Sequence, residues 1–182
     1  MARKHNGMRP QDIVVLLQLA LSKDHDSNLM LSVLLDLSPA EISLSIERCK
    51  YAGLLSEDRL VMKEAFYNFL VYGVKYVFPV KPGALVRGIP TAHSAAPLNK
   101  KIKPGSEPPF VWPAAHGTMR GQEILPFYDK QIGKPLVVAN LYETLALIDA
   151  LRVGKAREVN LAKELLKNYF FTEQDELQNR TA

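Results

Sequence analysis

The run Asp36-Leu37-Ser38-Pro39-Ala40-Glu41 constrains this chain more than any other stretch of it. It carries three helix-start devices at once. Ser38 can accept from a backbone N–H of the first turn, and Pro39 stands at the first helical position, where its missing N–H is no loss. Glu41 falls three residues after the cap and completes a capping box. The spacing predicts a helix from Pro39 to Ala52, ended by Gly53, a residue that tolerates positive φ. Along it Ile42, Ile46, Cys49 and Ala52 recur at intervals of four and three and form one buried stripe. Cys49, on that stripe, reads as a packing residue rather than a reactive thiol. The outward face carries Ser43, Leu44, Glu47, Arg48 and Tyr51, with Lys50 to one side.

The neighbouring elements fit around this helix. A short apolar helix, Leu29 to Leu35, ends just before it, which is the spacing of a helix-turn-helix. Upstream, Gln11 to Ser22 is apolar almost all round, with Gln11, Gln18 and Ser22 as a narrow polar strip, so that helix is expected to be buried on most sides. Lys23 to Asn28 supplies a polar loop. Downstream, Leu54-Leu55 and Leu60-Val61-Met62 flank Ser56-Glu57-Asp58-Arg59 and read as a small β-hairpin. Lys63 to Val77 reads as a further helix with Phe66, Phe69, Leu70, Val74 and Val77 inward.

Proline and glycine divide the 182 residues into three zones. Residues 79–135 hold ten of the twelve prolines and six of the ten glycines, whereas residues 11–78 hold Pro39 alone. The expected organisation is a first unit over 1–78, a Pro/Gly-rich extended basic segment over 79–135, and a C-terminal helical hairpin with an acidic tail over 136–182. The middle zone is too long for an ordinary connection and holds Phe110, Val111, Trp112, Phe127 and Tyr128. It is expected to pack on the helices as irregular extended chain, with a mobile stretch near Asn99–Pro108. Within it an aromatic-proline group precedes Arg-Gly twice: Tyr76-Val77-Phe78-Pro79 before Arg87-Gly88, and Phe110-Val111-Trp112-Pro113 before Arg120-Gly121. Chance or similar local turn chemistry accounts for the echo, or else two equivalent loops each present an arginine. In the last zone Leu141, Leu145, Ile148 and Leu151 share one face of a helix from Val138 to Val153. A second helix, Lys155 to Phe171, would bury Leu161, Leu165 and Tyr169 and expose Lys163 and Lys167. This hairpin must cover either the N-terminal helix of its own chain or a second subunit.

Residues 12–62 resemble a winged helix-turn-helix of the MarR-type bacterial transcriptional regulators. The resemblance is carried by Leu37-Ser38-Pro39-Ala40-Glu41-Ile42-Ser43, by Glu47-Arg48 and by Ala52-Gly53-Leu54-Leu55. It implies a mainly α fold with a small β-hairpin wing, a helix from Pro39 to Ala52 that enters the major groove, and a wing that reaches the flanking backbone or minor groove. The residues expected at double-stranded DNA are Ser38, Ser43, Leu44, Glu47, Arg48, Lys50, Tyr51 and, from the wing, Arg59. Arg48 is the expected base reader, because arginine pairs bidentately with guanine. Such regulators dimerise through helices outside the reading unit, which favours a homodimer.

Charge supports an anionic partner only in part. The net charge is +4, and residues 81–134 carry eight basic side chains against three acids. On the outward face of the Pro39 helix, however, Glu41 and Glu47 offset Arg48 and Lys50, and the wing holds Glu57 and Asp58. A protein-interaction or antitoxin-like adaptor therefore stands as the alternative to a DNA-binding regulator. The chain has no glycine-rich phosphate loop, no paired cysteines and no His-Glu metal spacing, so neither catalysis nor a cofactor is expected. A minor reading places enzyme chemistry at His93 and His116. One cysteine, the absence of an apolar core after Met1-Ala2-Arg3-Lys4 and no span long enough for a bilayer lead to the expectation of a cytoplasmic protein without a membrane partner.

Overall fold

The computed structural model describes residues 7–22, 26–103, 105–133, 138 and 140–171. Expectations about Arg3 and Lys4, the Lys23–His25 part of the loop, Pro104, and the acidic tail fall outside the described residues in whole or part. Among the described residues seven α-helices and one three-stranded sheet are formed: α1 Pro10–Leu21, α2 Asn28–Leu35, α3 Pro39–Tyr51, α4 Lys63–Tyr72, α5 Val74–Val77, β1 Leu85–Pro90, β2 Phe110–Pro113, β3 Met119–Glu123, α6 Leu141–Val153 and α7 Ala156–Phe170. No single helix among the described residues is long and apolar enough to cross a membrane.

The start of α3 is built as its residues dictate. Glu41 N donates to Ser38 Oγ at 3.2 Å, and Ser38 N donates back to Glu41 Oε2 at 2.9 Å. The chain turns through 108° between α2 and α3, with Asp36 in the left-handed region at the end of α2. Ile42, Ile46 and Cys49 are buried, while Ala52 is exposed and Ser45 takes the remaining inward position. Gly53 adopts φ +70° and ends the helix as its lack of a Cβ allows. Burial pushes the Cys49 thiol up to about 12, helped by the charge of Asp12. At about pH 8 a thiol-exchange reagent should therefore leave the native protein unmodified and react stoichiometrically after denaturation. Fast labelling of the native protein would contradict this packing.

Three expectations are corrected. The hairpin after α3 is reduced to a single bridge, Leu55 with Val61, closed by Ser56 N to Leu60 O at 2.8 Å and Met62 N to Leu54 O at 3.0 Å. Its four polar residues leave too few apolar positions to extend a ladder. The expected helix over Lys63–Val77 is split at Gly73, which leaves Val77 49% exposed. On α7 the buried positions are Ala162, Leu166 and Phe170, with Leu161, Leu165 and Tyr169 half-buried at the flank of that stripe.

The largest correction concerns the middle zone, whose irregular chain carries a closed three-stranded sheet over residues 85–123. β1 runs antiparallel to both partners, pairing Ile89 with Trp112 of β2 and Arg87 with Arg120 of β3, while β2 and β3 run parallel. A sheet closed with three strands has no room for side chains where backbones meet. A Cβ on Gly88 would lie 2.1 Å from the Trp112 carbonyl oxygen, and one on Gly117 would lie 2.2 Å from the Gly88 carbonyl carbon. The sheet is pinned to α6 by Asp149, which accepts from Trp112 Nε1 at 2.7 Å and Thr91 Oγ1 at 2.8 Å. Downstream, Tyr128 donates to the Leu35 carbonyl at 2.8 Å and fastens the same zone to the end of α2.

The C-terminal pair covers its own chain. α6 packs on α7, α5 and α1, and Leu141, Leu145, Ile148 and Leu151 are all buried without a second subunit. Val138 lies before the first turn of α6, which begins at Leu141.

Candidate nucleic-acid interface

α3 meets solvent along Glu41, Ser43, Leu44, Glu47 and Tyr51. Leu44 is 46% exposed and Tyr51 75%. Ser43 is held in place from both sides: its Oγ donates to the Pro39 carbonyl at 3.0 Å and accepts from Asn28 Nδ2 at 3.0 Å. Ser38 is also occupied, since its hydroxyl caps α3 and donates to Glu41 Oε2 at 2.7 Å. These contacts, made first by the Ser38 backbone and then by its side chain, hold the Glu41 carboxyl below its ordinary range.

Arg48 does not stand on this face. Its Nε and Nη2 grip Asp12 of α1 at 2.8 and 2.5 Å, and its side chain is only 11% exposed. Asp12 is fully buried and also accepts from Ser45 Oγ at 2.6 Å and from the Arg9 backbone N–H at 2.7 Å. The expected base reader is thus the inner member of a buried bidentate pair, whose partner's desolvated charge holds it there. Sequence reading missed Asp12, although it is the single acid on an otherwise apolar helix.

The other cations around α3 are held more loosely. Lys50 Nζ meets Glu57 Oε2 at 3.0 Å, and Glu57 is largely exposed. Such a surface pair is worth at most about 1 kcal/mol and can exchange for another anion. Arg59, at φ +64° in the hairpin, donates from Nη2 to the Asp26 carbonyl at 2.9 Å. Lys130, from the middle zone, donates to the Asp36 carbonyl at 3.1 Å and so brings a cation to the turn before α3. No protein-family model, curated protein or solved structure matches the chain. Its function must be read from this geometry alone.

The residues considered for enzyme chemistry lie in two separate clefts. His93 lines one of about 490 Å³ with Ser94, Asn99, Lys103 and Glu107. His116 lines another of about 780 Å³ with Arg87, Thr118 and Arg120. Among the described residues no group of three or more His, Cys, Asp or Glu side chains is placed to hold a metal ion.

Proposed function

We propose that the chain is a DNA-binding regulator that presents α3 to the major groove as the second helix of a winged helix-turn-helix, acting as a homodimer on a two-fold site. The observation that carries this reading is the 108° turn between α2 and a sharply capped α3. That angle falls in the range of helix-turn-helix pairs, and α3 projects Ser43, Leu44, Glu47 and Tyr51 away from the core. Leu44 would meet a thymine methyl and Tyr51 a phosphate. Lys50 would supply a phosphate contact by leaving the exposed Glu57 carboxylate, and Lys130 by leaving the Asp36 carbonyl and the carboxylate 3.8 Å away, whereas Arg48 would stay with Asp12.

The test is an anisotropy titration at several salt concentrations, against DNA from beside the chain's own gene and against random DNA. A specific complex should weaken with salt, and Lys50→Ala and Lys130→Ala should each lower the salt slope by about 1 without changing sequence preference. Equal affinity for both DNAs would remove the proposal.

A second reading, a protein-docking module, is favoured by a specific observation. No cation of α3 is without an acidic partner, while Leu29, Met30 and Val33 of α2 are exposed together with Leu44 and Tyr51. Under that reading DNA affinity stays at the nonspecific level, and Leu44→Asp abolishes a stoichiometric protein complex. Under the regulator reading the same substitution weakens DNA binding instead.

A further inference from the structure

The register of the small sheet sets Arg87 directly opposite Arg120 on the antiparallel β1–β3 pair. Residues directly opposed in such a pair point to the same side, with Cβ atoms about 5 Å apart, and like charges so placed repel. Both side chains are exposed, and neither has a hydrogen-bonding or acidic partner among the described residues. The fold does not need this pairing. Gly88 and Gly121 explain why small residues follow each arginine, because both sit where strands touch, but they do not explain the arginines. The two side chains instead edge a cleft of about 780 Å³ whose other lining residues are Leu85, His116, Gly117, Thr118 and Met119.

We propose that this cleft binds a phosphomonoester of about nucleotide size, gripped by the guanidinium groups of Arg87 and Arg120. An arginine fork matches two oxygens of one anion. A single carboxylate is satisfied by one such fork, whereas a terminal phosphate offers three oxygens and up to two charges to two forks, the Thr118 hydroxyl and His116. The volume exceeds what a bare phosphate fills and lies within the range of small-molecule sites. Leu85, two residues before Arg87 and on the same face of β1, gives the remainder an apolar wall against which a flat ring can lie. The inference does not depend on what α3 binds.

Thermal unfolding and calorimetric titration of the full chain test it, with inorganic phosphate, a nucleoside monophosphate, the unphosphorylated nucleoside, and a short single strand with and without a 5′-phosphate, all at matched ionic strength. Arg87→Gln and Arg120→Gln are the variants, and their exposure keeps folding out of question. The phosphorylated probes should raise the melting temperature and the nucleoside should not. Each variant should weaken binding roughly 10-fold or more, while its ligand-free melting temperature stays level or rises as the repulsion is relieved. Tighter binding of the monophosphate points to a free metabolite, and tighter binding of the phosphorylated strand points to a nucleic-acid end. No stabilisation by any phosphomonoester, equal stabilisation in the variants, or binding of the strand without its 5′-phosphate as tightly as the tightest phosphorylated probe would each overturn the assignment.

Discussion

Replacing Asp149 with alanine should destabilise the protein by about 3–5 kcal/mol, the usual range for removing one partner of a buried ion pair. Asp149 is fully buried in α6 and accepts from three donors: Trp112 Nε1, Thr91 Oγ1 and, at 2.8 Å, Arg152 Nη1. Arg152 is itself almost fully buried, with Nε donating to the Phe78 carbonyl at 2.9 Å and the guanidinium 4.4 Å from the centre of the Phe127 ring. Alanine would leave that cation without its carboxylate and strand an indole N–H and a hydroxyl, each costing its own desolvation. Asp149→Asn keeps an acceptor oxygen but loses the charge, so its loss should be smaller. Trp112 is the single tryptophan of the chain, so its fluorescence reports on this site directly. Urea unfolding followed by that signal and by far-ultraviolet circular dichroism should show both transitions moving together. A loss below about 1 kcal/mol would mean that the hub does not hold the sheet to α6.

Gly88→Ala acts on the same sheet from its other side. The added Cβ would fall on the Trp112 carbonyl, and backbone rather than a flexible side chain would have to move. A loss of at least about 1–3 kcal/mol is expected from this overpacking, read by the same denaturation. Gly105→Ala, with only one atom 4.0 Å from its Cβ, is the matched control and should be near neutral.

What was legible in the sequence follows from the range of the forces involved. The start of α3 depends on neighbours within four residues, and the structure forms it at Ser38, Pro39 and Glu41 as their chemistry requires. The buried faces of α1 and α6 are equally local, because a helix repeats every 3.6 residues. The closed sheet over residues 85–123 was not legible. β1 has no strand next to it in sequence with which to form a hairpin, and its prolines and glycines read as loop when the pairing that gives them a purpose is unseen. The repeated Arg-Gly does not mark two equivalent loops: Arg87 and Arg120 lie on paired strands and meet in register, and only the second aromatic-proline group lies in a strand. The residues expected at DNA met a different limit. Helical position placed Ser43, Leu44, Glu47 and Tyr51 outward, but a long arginine can turn towards a buried acid on another helix. Asp12 lies 36 residues from Arg48, beyond the reach of any periodicity.

That pairing yields the sharpest distinction between a scaffold and a reader. Asp12→Ala should cost about 3–5 kcal/mol, because Arg48 would remain largely buried opposite a hole and the Ser45 hydroxyl would lose its acceptor. Arg48→Ala should cost a comparable amount, about 3–5 kcal/mol, since it leaves the fully buried Asp12 carboxylate without a counter-charge, held only by the Ser45 hydroxyl and the Arg9 backbone N–H. Joint replacement, Asp12→Leu with Arg48→Met, should recover much of the loss, because apolar side chains of similar size can substitute for a buried ion pair. The same variants bear on the interface. If Arg48 only sets the angle of α3 against α1, folded Arg48→Ala protein should prefer the same DNA sequence as the parent, with lower stability and similar affinity. If it leaves the lock to read guanine, the same loss of stability should be joined by a fall of about 1–3 kcal/mol in affinity for the preferred sequence. Measuring melting and DNA affinity on one preparation separates the two. The distances to Asp12 favour the first outcome, in which the proposed DNA preference would rest on Ser43, Leu44, Glu47 and Tyr51.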